Sequence, residues 1–199
     1  MRSLSPKDVL VACRLSVGGR TGKSRWGGPL RGEPTQREMS RELGMSVSSV
    51  HESLQYLVAM RLLVRSPARR GAFAIVPAKL IELLVNVIPF VYVPQKRGVV
   101  RGLPTSVFAP VLKDRFAEGR LPVVWPYAPG TATGEGLLPI YPSVPAACAK
   151  NERLYHLLSA VDVLRVGLQR EREVAVKYIG EVVGRAAAVC EPEDKENTA

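Results

Sequence analysis

The sequence predicts a mainly α-helical chain that carries one small β-hairpin. Three observations lead there. Two short capped helices meet at Gly44, two aliphatic runs flank a Pro–Gly turn just after them, and an apolar stripe at helical spacing runs through residues 151–184. The expected organisation is a first domain over residues 1–77, an accessory and mainly helical region over 78–190, and a disordered acidic tail over 191–199.

With 199 residues, 46% of them apolar, the chain can bury a core of ordinary size. Lys and Arg number 28 against 18 Asp and Glu, a net charge of +10. Residues 1–77 hold 13 basic and 5 acidic residues, whereas residues 78–199 hold 15 and 13. A polyanionic partner would therefore be attracted mainly to the first part. Cys13, Cys148 and Cys190 lie far apart, without a metal-ligand spacing, which fits a reducing cytoplasm. The opening apolar stretch is interrupted by Asp8 and Arg14, and residues 80–94 are too short for a membrane span and carry Glu82 and Asn86. The expectation is a soluble, cytoplasmic protein with no membrane partner.

In chain order, Ser5, Pro6 and Asp8 mark the start of a helix: a cap, a proline where its missing N–H costs nothing, and an acid three residues after the cap. "GGRTGKS" (18–24) then ends like a nucleotide-binding P-loop. Val17 stands where the first P-loop glycine belongs, however, and Gly27, Gly28, Pro29, Gly32 and Pro34 follow where the phosphate-binding helix should begin. The reading preferred is a basic loop whose Arg20, Lys23 and Arg25 are extra phosphate contacts. A nucleotide-binding enzyme is the distant alternative.

Thr35 and Glu38 form a capping box for a helix through about Leu43, which Gly44 ends. Ser46 caps a second helix to about Met60, with Val50, Leu54 and Leu57 on its inner face and Met39, Leu43 and Met45 opposite. Leu62–Ser66 and Ala72–Val76 read as strands around the turn Pro67–Gly71, where Arg65, Arg69 and Arg70 cluster. Two helices joined by a short glycine-containing turn are the helix-turn-helix pattern.

The pieces "SPKDVLVA", "TQREMSRELGMSVSSVHESLQYL", "MRLLV" and the basic hairpin together resemble the winged-helix transcription regulators, especially the MarR-like group. The resemblance covers residues 5–76 and departs from the pattern in the long glycine-rich link 17–34. It implies a winged helix-turn-helix domain whose recognition helix, about 46–60, enters the major groove of double-stranded DNA, with a basic wing, about 65–71, on the backbone or minor groove. The DNA-binding residues expected are Thr35, Gln36, Ser46, Ser48, Ser49, His51, Glu52, Gln55, Arg65, Arg69 and Arg70, with Tyr56 at the margin. Gln suits adenine, Glu can accept from cytosine, and Ser46 and Ser48 at a helix N-terminus suit a phosphate. For Glu52, pairing with a neighbouring Arg is expected ahead of reading a base.

In the second half, Pro77 starts a helix that Pro89 ends or kinks, and "PFVYV" reads as a short strand. Another short helix is expected between Ala109 and Glu118. Residues 120–146, rich in Pro and Gly, read as an irregular loop anchored by Trp125, Tyr127 and Tyr141. Leu154, Leu157, Leu158, Val161, Leu164 and Leu168 form the apolar stripe, continued by Val174, Tyr178, Ile179 and Val182, with Gly167 between two helices. Regulators of this resemblance dimerise through helices outside the winged domain, so the stripe is expected to seat a second copy or a protein partner, although it would equally serve the chain's own core.

No Ser-His-Asp, Cys-His, HExxH or paired-carboxylate constellation is visible, and His156 stands alone in the stripe. No enzyme activity, cofactor or metal is expected. The function expected is a dimeric, sequence-specific transcriptional regulator. The alternative is a DNA-binding antitoxin that represses its own promoter and holds a partner protein through its C-terminal half.

Overall fold

The computed structural model describes residues 2–18, 34–65, 73–113 and 121–188, the side chains only as far as 184. It is mainly helical with two small sheets. Helix α1 (Pro6–Ser16) starts as its sequence requires, with Asp8 closing a capping box on Ser5. Val9 to Cys13 are fully buried in succession, so α1 is enclosed on every side. Arg14, also buried, donates to Glu42 (2.5 Å) and to the Gly18 carbonyl (2.8 Å), clamping the exit of α1 against the following helix. A P-loop follows a strand; here a helix occupies that place. The rest of the loop, with Arg20, Lys23 and Arg25, lies outside the described residues.

Helices α2 (Gln36–Leu43) and α3 (Val47–Ala59) follow, joined through Gly44 at φ 62°, where the amide groups of Gly44 and Met45 both donate to the Ser40 carbonyl. α3 ends differently. Arg61 takes the left-handed conformation at φ 58°, its amide donating to the Val58 carbonyl while Leu62 donates to Leu57. This is the glycine-type helix stop with an arginine in the glycine place. Strand β1 (Leu63–Arg65) then pairs antiparallel with β2 (Phe73–Ile75), and α4 (Pro77–Asn86) begins at its proline as expected.

The second half departs from expectation in two places. "PFVYV" is no strand: α5 (Ile88–Val91) accommodates Pro89 in its first turn, where no N–H is needed. A 3-10 turn (Ser106–Phe108) leads into α6 (Pro110–Lys113), which falls within the short helix expected between Ala109 and Glu118; residues 114–118 lie outside the described residues. Residues 120–146 are not an irregular loop. They contribute β4 (Val123–Pro126), β5 (Ala132–Leu137) and α7 (Val144–Cys148). With β3 (Lys96–Pro104) these strands close a three-stranded barrel, in which β3 pairs antiparallel with both neighbours and β4 runs parallel to β5. The glycines that suggested a loop permit this closure, since a Cβ on Gly134 would lie 2.0 Å from the Pro122 carbonyl oxygen; Gly102 in β3 has the same part, its Cβ falling 2.0 Å from the Trp125 carbonyl oxygen.

Helix α8 (Glu152–Val166) runs through the centre, and α9 (Gln169–Ala188) packs across it. Leu154, Leu157, Leu158, Val161 and Leu164 are all buried within the single chain, so the stripe expected to bind a second copy is consumed by the chain's own core; only Leu168 remains exposed. One core cluster runs from α1 through α3 and α4 to α8 and α9. On α8, Asp162 pairs with Arg165 (2.6 Å) and accepts from Trp125 Nε1 (2.6 Å) and Thr105 Oγ1 (2.9 Å). Arg165 in turn donates to the Tyr92 carbonyl (2.9 Å).

Gly102→Ala forces its new methyl into the β4 backbone and should destabilise the protein by more than about 3 kcal/mol in urea denaturation. Arg61→Gly removes the left-handed cost and should stabilise it by up to about 1 kcal/mol in the same measurement.

Candidate nucleic-acid interface

Helix α3 divides its residues cleanly between two faces. Val50, Ser53, Leu54 and Leu57 are buried against the core, whereas Ser48, His51, Glu52 and Gln55 are exposed together on the opposite side. The spacing dictates this, because at 100° per residue positions 48, 52 and 55 fall on one stripe and 50, 54 and 57 on the other. Among the described residues, the side chains of His51, Glu52 and Gln55 have no hydrogen-bonding partner.

At the N-terminus of α3, Ser46 Oγ accepts from the Ser49 amide (3.1 Å), donates to Ser49 Oγ (2.9 Å) and lies 3.0 Å from Ser48 Oγ. Three hydroxyls thus gather where free amides and the helix dipole favour an anion. Ser49 is half-buried, so its part is to hold Ser46, and Ser46 and Ser48 are the exposed pair. Thr35 is exposed at the start of α2, accepting from the Glu38 amide (3.2 Å) while its own amide donates to Glu38 Oε2 (2.7 Å); Gln36 is half-buried beside it. Arg65 is exposed at the end of β1, opposite Phe73. Arg69 and Arg70 lie outside the described residues.

α3 itself carries no Lys or Arg. Cations come from its surroundings: Arg37 and Arg41 are exposed on α2, Arg61 follows α3, and Arg2 lies along the α3 flank. Arg2 was not singled out by the sequence reading, since nothing in a local pattern links it to a helix fifty residues away. Its guanidinium donates to the Glu52 carbonyl (3.1 Å) and to Asp8 Oδ1 (2.7 Å) and stands 4.6 Å from the centre of the Tyr56 ring. The Tyr56 hydroxyl donates back to the Arg2 carbonyl (3.0 Å), so Tyr56 is an anchor for the N-terminal arm.

Burial pushes the Cys13 thiol up to about 12 and the Cys148 thiol well above its ordinary value, so both stay protonated and unreactive. Burial lowers His156, which has the exposed Glu152 at 3.8 Å and the Tyr155 ring beside it. Among the described residues no group of three His, Cys, Asp or Glu side chains is placed to hold a metal, and no helix is long and apolar enough to cross a membrane. A cavity of about 290 Å³ beside the barrel, lined by Phe108, Leu121, Val123 and Val166, has the Lys96–Glu135 ion pair (3.2 Å) in its wall.

No protein-family model, curated protein or solved structure matches this chain.

Ser46→Ala removes the α3 cap and the centre of the hydroxyl cluster, and should cost about 1 kcal/mol in chemical denaturation, with Ser46→Asp restoring most of it.

Proposed function

We propose that the chain is a sequence-reading double-stranded DNA-binding protein of the winged-helix type that regulates transcription, with α3 as its recognition helix. The observation that carries this reading is the outward face of α3: Ser48, His51, Glu52 and Gln55 exposed together on a helix whose other face is locked into the core. Helix geometry alone presents such a row to the floor of a major groove. The hydroxyl pair Ser46 and Ser48 at the helix N-terminus, Arg65 at the hairpin and the basic surplus of residues 1–77 supply the sequence-independent phosphate attraction. The α2–Gly44–α3 turn followed at once by an antiparallel hairpin supports the resemblance to winged-helix regulators. A dimer through the α8 stripe is no part of this proposal, because that stripe is buried within one chain.

The test is binding of the purified protein to the DNA upstream of its own coding sequence and to a shuffled duplex of equal length, across a salt series. Binding to the upstream DNA should be at least about 10³-fold tighter near physiological salt. His51→Ala with Gln55→Ala should reduce that preference by about 10- to 100-fold while leaving the affinity for shuffled DNA nearly unchanged. Equal affinity for both duplexes would leave only sequence-independent attraction by the surrounding cations and remove α3 as a reading helix, and an absence of binding to either would end the proposal.

A further inference from the structure

We propose that the N-terminal arm, residues 2–5, is a third DNA-contacting element, and that Arg2 delivers a phosphate contact along the flank of α3. The inference rests on α3 being the recognition helix. Its geometry begins with two tyrosines. Tyr56 Oη holds the Arg2 carbonyl (3.0 Å) and Tyr92 Oη holds the Leu4 carbonyl (3.0 Å), while Asp8 Oδ2 accepts from both the amide (2.9 Å) and hydroxyl (2.7 Å) of Ser5. The arm is therefore pinned at each end and cannot swing away from the helix.

Arg2 lies where this pinning has a use. Ser49, Glu52 and Tyr56 share one side of α3, at spacings of three and seven residues, and that side borders the outward stripe, with Glu52 common to both. A helix with its side chains is about 10–12 Å across and the major groove about 12 Å wide, so both sides of a seated helix face a wall of phosphates. Arg2 stands before one of those walls. Of its five N–H groups one goes to the Glu52 carbonyl and one to Asp8, which leaves three. Its side chain is 39% exposed whereas Asp8 is fully buried. Asp8 also sits in the first turn of α1, facing the positive end of that helix, so its charge is directed inward. The part-exposed guanidinium is held over the Tyr56 ring, so much of its conformational freedom is already surrendered before DNA arrives.

The experiment compares Arg2→Gln and Arg2→Lys with the wild type on the upstream duplex, with the affinity read as a function of salt and the fold checked by circular dichroism and thermal melting. Arg2→Gln keeps a side-chain donor for Glu52 and fills similar space, but removes the charge. It should weaken binding about tenfold near physiological salt and lower the slope of log K against log salt by about 0.9. Arg2→Lys should keep the slope while losing part of the affinity. If Arg2 only braces α3, Arg2→Gln will melt earlier yet keep the wild-type slope, and the inference is overturned while the recognition helix stands. If the wild type binds no duplex, both fall together.

Discussion

Asp162 and Arg165 face each other at 2.6 Å on the central helix, both almost without solvent exposure. Burial raises the Asp162 carboxyl, and the Arg165 guanidinium with the hydrogen bonds from Thr105 and Trp125 opposes that rise. Five segments meet at these two side chains: β4 through Trp125, the end of β3 through Thr105, the exit of β5 through the Leu138 carbonyl, the end of α5 through the Tyr92 carbonyl, and α8 itself. A buried ion with its partners in place is tolerable, and one that loses them is strongly destabilising, so the pair penalises any arrangement in which the barrel leaves α8. Tyr155 adds a second tie, its hydroxyl donating to the Pro104 carbonyl (2.6 Å) and its ring tilted against Trp125.

The consequence reaches the candidate interface. Tyr92, whose carbonyl Arg165 holds, uses its hydroxyl to hold the N-terminal arm, and the arm lies along α3. On the other side Ser143, before α7, donates to the Leu43 carbonyl (2.5 Å) next to the Gly44 turn. The helices that carry the candidate site are thus braced by the second half of the chain at two points. Together with the shared core, this makes α3 a rigid element presented by the whole molecule.

Within that frame the division of labour follows side-chain chemistry. The outward face of α3 offers hydroxyl, imidazole, carboxylate and amide groups, which distinguish hydrogen-bond patterns, and no long cation. Positive charge is placed around it on Arg2, Arg37, Arg41, Arg61 and Arg65. In the proposed reading the long cations stand on the elements around α3, while its outward face carries the hydrogen-bonding groups.

Much of the local structure was legible because its causes are local. The capping boxes at Ser5 and Thr35, the left-handed Gly44, the Ser46 cap, the hairpin after Leu62 and the helix start at Pro77 each depend on residues within a few positions of one another. The two faces of α3 follow from periodicity in the same way. The barrel was illegible because β4 has only four residues while β3 and β5 each carry two glycines, and glycine marks a turn or a close backbone contact with equal force until the opposing strand is known. The fate of the α8 stripe was illegible too, since an apolar face looks the same whether its own chain or a second one covers it. Arg2 belongs to this class: its partners Glu52 and Tyr56 are remote in sequence, and only folding brings them together. What the sequence determined by itself is which residues begin α1 to α4 and which faces α3 turns inward and outward. Tertiary structure alone decided what covers those faces, because burial depends on contacts between distant segments that no local pattern encodes.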